Sequence, residues 1–165
     1  AFEAGGLQFH GAGVVRHGKA FVFFGHSGSG KTTVARLSHE DLVLNDDLLL
    51  LMPSAGGWMV HGTPFWNPTQ VAPSPRSAPL GGLYRLVQDR QVFLETVSAG
   101  QGLAELIAST PVIPDDPGRS LELLGRGRRL LSLVPAFRLH FLPDDSFWPV
   151  VEAQILTKMQ GPGNF

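Results

Sequence analysis

The segment Gly25-His26-Ser27-Gly28-Ser29-Gly30-Lys31-Thr32 constrains this chain more than any other. It follows Ala20-Phe21-Val22-Phe23-Phe24, an apolar run of the kind expected in a strand buried on both faces. It opens Lys31 to His39, which reads as a helix with Val34, Ala35 and Leu37 at its apolar positions. The segment fits the pattern G-x-x-x-x-G-K-[ST] at every fixed position, in the strand-loop-helix context that the pattern requires. Two glycines, a lysine and a Ser/Thr at those offsets should arise by chance in well under about 1% of chains this size. The alternative is a plain glycine-rich turn before a helix.

The residue types explain what such a loop does. Glycines let the backbone curl so that successive N–H groups face phosphate oxygens. The helix behind the loop adds its positive end and its unpaired N–H groups. Gly25, His26, Ser27, Gly28, Ser29, Gly30, Lys31, Thr32 and Thr33 are therefore the expected contacts to the phosphates of a nucleoside triphosphate, ATP or GTP, since the base is read elsewhere. Lys31 reaches the outer phosphates as a point charge. The Thr32 hydroxyl is a candidate ligand for Mg²⁺, a hard cation that prefers oxygen.

Leu42-Val43-Leu44 reads as a short buried strand ending in Asn45-Asp46-Asp47. Next to the strand of the glycine loop, it would bring that end to the phosphates. One carboxylate, Asp46, would assist the metal, and the other, Asp47, would take a proton from an attacking hydroxyl. Asn-Asp-Asp is also ordinary turn chemistry.

Elsewhere the chain alternates short elements. Val14-Val15-Arg16 and Ala20 to Phe24 form a hairpin around His17-Gly18-Lys19. Leu48 to Met52 and Trp58 to His61 form another around Ser54-Ala55-Gly56-Gly57. Thr63 to Gly82 holds Pro64, Pro68, Pro73, Pro75 and Pro79 and is expected to be an irregular, mobile loop. Loops of that length often act as lids or binding loops, and His61 and Arg76 are candidates to act from it. Leu83 to Val87 and Val92 to Glu95 read as strands, Gly102 to Ser109 and Ser120 to Leu133 as helices. Pro111 to Gly118 is a break between those helices. Ala136 to Phe141 reads as a strand. Ser146 is placed to cap a last helix that runs to about Met159, with a frayed tail at Gly161-Pro162-Gly163.

Bulk properties exclude several function classes. The net charge is −1 and only 16% of residues are charged, so neither a nucleic-acid tract nor a membrane-binding basic surface is expected. With no cysteine there are no disulfides or thiolate metal sites. No apolar run approaches the length of a membrane span. The start, Ala1-Phe2-Glu3-Ala4, lacks the pattern of a signal peptide, and a cytoplasmic location is expected because free nucleotide is found there.

The order of elements resembles the catalytic domain of HPr kinase/phosphorylase, a bacterial serine kinase family related in fold to phosphoenolpyruvate carboxykinase. The resemblance rests on Leu7-Gln8-Phe9-His10-Gly11, on Gly25 to Thr32, and on Leu42-Val43-Leu44-Asn45-Asp46-Asp47. In that family a His-Gly pair precedes the P-loop lysine at the interval that separates His10 from Lys31. The resemblance implies that His10 assists phosphoryl transfer, that Asp47 is the proton acceptor, and that Lys31 and Thr32 hold phosphate and metal. It covers roughly the first seventy residues. Val134 to Asp144 is also similar to the closing strand of HPr-kinase-like proteins often found beside peptide-modification gene clusters. The chain departs from the family at His61-Gly62-Thr63-Pro64-Phe65-Trp66, where the family carries a metal-binding glutamate, and no clear match to its dephosphorylating arginine loop is found.

The expected architecture is one α/β domain, residues 1–165, with a mixed, largely antiparallel sheet around a P-loop helix. The expected function is transfer of the γ-phosphoryl group of Mg-ATP to a hydroxyl, such as a serine of a protein or peptide. A nucleotide-binding regulator and a small-metabolite phosphotransferase are the alternatives. The family's hexamers imply a homo-oligomer.

Overall fold

The computed structural model describes residues 2–65, 71–111 and 115–159. The centre of the proline-rich stretch (66–70), part of the break at Pro111 to Gly118 (112–114) and the tail expected to fray lie outside the described residues. In chain order the elements are β1 (Leu7–His10), β2 (Ala12–Arg16), β3 (Lys19–Phe24), α1 (Lys31–Leu37), β4 (Leu42–Asn45), β5 (Leu48–Ser54), β6 (Gly57–Gly62) and β7 (Ser77–Gln88). They continue with β8 (Phe93–Thr96), α2 (Ala99–Ala108), α3 (Pro117–Leu133), β9 (Ala136–Phe141) and α4 (Phe147–Met159).

The architecture is α/β with an open, mixed sheet. Pairing is antiparallel for β1–β5, β2–β3, β2–β4, β5–β6, β6–β7 and β8–β9, and parallel for β3–β7 and β7–β9. Strands β4-β2-β3-β7-β9-β8 form one continuous layer, and β1-β5-β6 join it through β7. The hairpin β2–β3 turns through His17 and Gly18, with φ of 52° and 75°. Positive φ at both positions gives a turn whose twist matches its strands.

Strand β3 is buried on both faces, as its apolar sequence predicts. Val22 and Phe24 pack with Phe9, Leu49, Leu83, Leu106 and Leu130 on one side. Phe21 and Phe23 pack with Val34, Tyr84, Phe141, Phe147 and Trp148 on the other. Helices α2 and α3 and the β1-β5-β6 strands thus cover one face, and α1 and α4 the other. Fully burying each such side chain stabilises by about 1.5–3 kcal/mol. Arg16 locks α4 to the hairpin: it pairs with Asp41 and Glu152 and lies 4.0 Å over the Trp148 ring.

Three expectations need correction here. The stretch to Gly82 is not wholly irregular, because Ser77 to Gly82 form the first half of the twelve-residue β7. Within that half, Ser77 to Pro79 pair antiparallel with β6, and from Leu80 onward the strand runs parallel to β3. The described residues before it are tied down as well: Ser74 N–H donates to Leu44 O at 2.9 Å and Gly62 N–H to Arg76 O at 3.1 Å. Ser146, expected to cap α4, has its hydroxyl donating to the Asp144 carboxylate instead. The helices α2 and α3 start earlier than expected, at a Ser98–Gln101 capping box and at Asp116 followed by Pro117.

Gly62 is where the 71–76 segment crosses. A Cβ there would lie 1.9 Å from Ser74 O and 2.7 Å from Leu44 O, both backbone atoms that cannot swing aside. Gly62→Ala should therefore destabilise the fold by about 1–3 kcal/mol or more, measured by denaturant unfolding.

Candidate functional site

Four parallel strands, β3, β4, β7 and β9, end at one edge of the sheet. Strand β4 is not beside β3, as expected, because β2 lies between them. Two antiparallel steps still leave β4 pointing the same way as β3. The glycine loop, the acidic doublet and Gln88 at the end of β7 therefore meet at that carboxyl edge, where ligands of open α/β sheets bind.

A cleft of about 320 Å³ lies there, lined by Ser27, Gly28, Gly30, Lys31, Thr32, Thr33, Asp46, Asp47 and Gln88. A larger groove of about 560 Å³ lies at the opposite edge, between α2, α3 and the start of β9. Arg128 is its only titratable lining residue, so its size does not make it a reaction site.

The loop is shaped by its glycines and by Phe141. Gly25, Gly28 and Gly30 all have positive φ. At Gly30 φ is 111°, and an added Cβ would lie 2.5 Å from Cζ of Phe141. The last residue of β9 thus supports the loop from below. Gln88 fastens it from the side, its amide donating to Gly28 O at 2.8 Å. Ser29 is buried beneath the loop, with an Oγ that meets no hydrogen-bond partner among the described residues. The exposed ring of His26 donates through Nδ1 to Ser27 O at 2.7 Å and does not line the cleft.

Lys31 Nζ donates to Gly25 O at 3.0 Å and to His26 O at 3.1 Å, spanning the mouth of the loop. Burial lowers its pKa from the ordinary lysine value, partly offset by the Asp47 carboxylate. Thr32 and Thr33 follow in the first turn of α1 and face the cleft.

The doublet is held by Asn45, a residue the sequence reading passed over. Asn45 is buried, and its Oδ1 accepts from the N–H of Asp47 at 2.8 Å and of Leu48 at 3.2 Å. Its Nδ2 donates to the carbonyls of Thr63 and Phe65, both at 2.9 Å. Ordinary turn chemistry therefore does operate here, but through Asn45, which leaves the two aspartates for other work. Asp46 is 2% exposed; its Oδ2 accepts from Val71 N–H at 3.4 Å, while its Oδ1 is buried without a hydrogen-bond partner among the described residues. A buried orphan oxygen calls for a ligand or stores strain.

His10 comes to Asp47. Its Nδ1 lies 3.2 Å from Asp47 O and 3.7 Å from Asp47 Oδ1. The backbone fixes this meeting: Gly11 N–H donates to Asp47 O at 3.1 Å, and His10 pairs with Leu48 in the β1–β5 register. Both side chains are 44% exposed, so the dyad stays open to solvent. His61 and Arg76 do not line the cleft; His61 sits within β6, in register with Leu50 and Ser77. Among the described residues no group of three or more His, Asp or Glu side chains could hold a metal, and no helix is long and apolar enough to cross a membrane.

Gln88 and Asn45 gave no motif signal. Asn45 stands directly before the doublet, and its preference for turns was the available clue.

If Asp46 is kept for a ligand rather than for the fold, removing its charge should help the ligand-free protein. Asp46→Asn is expected to raise unfolding free energy by about 1 kcal/mol, measured by thermal and denaturant melts; a loss of stability would make Asp46 a structural residue.

No curated protein matches this chain. Residues 1–110 match the family described as SynChlorMet cassette protein ScmC. That stretch includes the glycine loop, the doublet, His10 and Gln88, and it spans 110 of the 165 residues. The chain therefore belongs to the SynChlorMet cassette protein ScmC family.

Proposed function

We propose that this protein is a Mg-ATP-dependent kinase of the HPr-kinase-like type, transferring the γ-phosphoryl group to a hydroxyl, most directly a serine of a protein or peptide. The observation that carries the proposal is the convergence of Lys31, Asp46 and Asp47 on one cleft behind the glycine loop. Two separate segments of the chain supply these groups. A glycine-rich turn with no role beyond folding would not call for the acidic doublet at its mouth.

The residues suit the division of labour that phosphoryl transfer needs, which is positioning and charge stabilisation. The loop N–H groups and the start of α1 would hold the phosphates. Lys31, now spanning two carbonyls of the loop, would turn to the outer phosphates. A divalent cation fits Thr32 and the orphan Oδ1 of Asp46. Mg²⁺ is commonly bound by one or two carboxylates together with substrate phosphates, so a third acid is not required. When bound, it would neutralise charge gathering on the transferring group.

Asp47 would accept the proton of the incoming hydroxyl. Its backbone is fixed by Asn45 and Gly11, and its carboxylate opens to solvent where an acceptor can approach. His10 is the positioning residue, its Nδ1 donating to Asp47 O. The metal-binding glutamate of HPr kinases has no counterpart at 61–65. Asp46 is the remaining acid of the cleft and takes that burden alone.

Labelled Mg-ATP offered with protein, peptide and small-hydroxyl acceptors tests the proposal. Asp47→Asn should lower transfer by about 100-fold or more and leave ATP affinity nearly unchanged by calorimetry. Unchanged transfer would remove Asp47 from the chemistry. ATP binding without transfer to any acceptor would favour a regulatory module, and label only on a small metabolite would overturn the protein-hydroxyl assignment.

Binding should also depend on alkaline pH with a defined sign. Burial lowers the Lys31 pKa, so its charge is lost at lower pH than in a free lysine. ATP affinity should fall as pH rises through that lowered value, and Lys31→Arg should flatten the fall because arginine stays charged. In the same window the unfolded chain binds more protons than the folded one, so ligand-free stability should rise while affinity drops.

A further inference from the structure

The connection from β6 to β7 is tied at both ends to the turn that carries the acidic doublet. Asn45 holds its first limb, Nδ2 donating to Thr63 O and Phe65 O, both at 2.9 Å. Its second limb, 71–76, runs beside β4, the edge strand of its layer, where Ser74 N–H donates to Leu44 O at 2.9 Å. Gly62 N–H donates to Arg76 O at 3.1 Å and closes that limb onto β6. Val71 begins the limb and donates its N–H to Asp46 Oδ2 at 3.4 Å. Two adjacent residues thus hold the two limbs, one through a neutral amide and the other through a carboxylate.

The carboxylate is the more costly tether. Asp46 is buried, and a buried carboxylate destabilises the fold unless its charge and lone pairs are met. One long bond from a backbone N–H does little to offset that. Asn45 ties the other limb from the same turn without any charge. What the Val71 bond does accomplish is to fix the plane of the carboxylate. With Oδ2 engaged, Oδ1 has a set direction, and Oδ1 is the oxygen without a hydrogen-bond partner among the described residues. Residues 61–65 supply no acid, so the aim of Asp46 depends on the backbone around it. Carboxylates that ligate metals are themselves held by hydrogen bonds, and those partners tune the affinity.

We propose that the backbone N–H of Val71 positions the Asp46 carboxylate for its cation, and that through this bond the 71–76 segment and the cation are coupled. This rests on the cation site proposed above and deepens it. A cation on Oδ1 holds the carboxylate in one orientation, so the bond from Val71 to Oδ2 opens less often. By reciprocity, a segment held against Asp46 presents Oδ1 already oriented, and the cation binds more tightly by the same factor. The segment itself lies outside the cleft lining. The Val71 side chain packs against the core on the α1 face. Val71, Ala72 and Ser74 also form one wall of a groove of about 420 Å³, opposite Ala35 and Arg36 of α1. Cation occupancy is therefore carried from the cleft floor to a segment that the nucleotide does not touch.

Calorimetry with MgATP and with ATP in EDTA separates the cation from the phosphates. Val71→Pro removes the N–H, while Val71→Ala keeps it and trims the side chain. Val71→Pro should weaken MgATP binding by about tenfold and leave binding of ATP in EDTA unchanged. Val71→Ala should bind both like the wild type. Wild-type MgATP affinity in Val71→Pro overturns the proposal. An equal loss with and without Mg²⁺ overturns it too, since the fault would lie in the phosphate cradle. So does an equal loss in Val71→Ala, since packing would then be the cause. If Val71→Pro does not fold, hydrogen exchange at the Val71 amide of the wild-type protein decides. Adding Mg²⁺ to the ATP complex should slow that exchange by about tenfold, and an unchanged rate overturns the proposal. A wild-type protein that binds ATP equally with and without Mg²⁺ overturns the cation site and this coupling but leaves the phosphate site. One that binds neither form overturns the nucleotide-binding function as well.

Discussion

Strand β3 sets the terms for everything around it. Its side chains are buried on both faces, so two separate layers must form over it, and at its carboxyl end the chain leaves toward solvent. The glycine loop occupies that exit. Its shape is then set by neighbours rather than by the loop itself: Phe141 from below, Gln88 from the side and Lys31 across the mouth. The position of the phosphate-binding candidate is thus a product of core packing, and its precision is inherited from the core.

Asn45 shows how one buried amide can serve fold and site together. Its oxygen satisfies the turn that presents the two aspartates, and its nitrogen fixes the start of the segment after β6. The aspartates are relieved of capping work that acids in such turns usually perform. Asp46 is left with a buried oxygen lacking a partner among the described residues, and Asp47 with an open carboxylate beside His10. Two adjacent residues of the same type acquire different environments because one faces the cleft floor and the other its rim.

Much of this could be read in the sequence, for reasons that can be named. The β2–β3 hairpin, the loop, α1 and the doublet are local: each is set by a run of a dozen residues or fewer, where apolar pattern and turn chemistry are decisive. The long-range parts were hidden. The first half of β7 carries Pro79, Gly81 and Gly82, which locally argue against a strand, yet β6 and β3 supply partners from distant sequence. The position of β2 between β3 and β4 is a topological fact that no periodicity reports. Gln88 joins the cleft only because β7 runs parallel to β3, and His10 reaches Asp47 only because β1 pairs with β5. The starts of α2 and α3 are written locally, in the Ser98–Gln101 capping box and in Asp116 followed by Pro117.

The shared strand β7 also shapes how the chain can be made. During synthesis the β2–β3 hairpin emerges early, but the neighbour that completes the far side of β3 arrives only with residues 77–88, and the next one, β9, only with 136–141. Until then an apolar strand lies with an open edge, and parallel pairings of such separation close slowly. An edge left open in this way through most of the chain's length is the kind of surface on which unfinished chains associate. A shortened form ending near residue 110 would carry every residue of the candidate site yet leave β7 without β9, so the site's parts are encoded well before the sheet that makes them usable is complete.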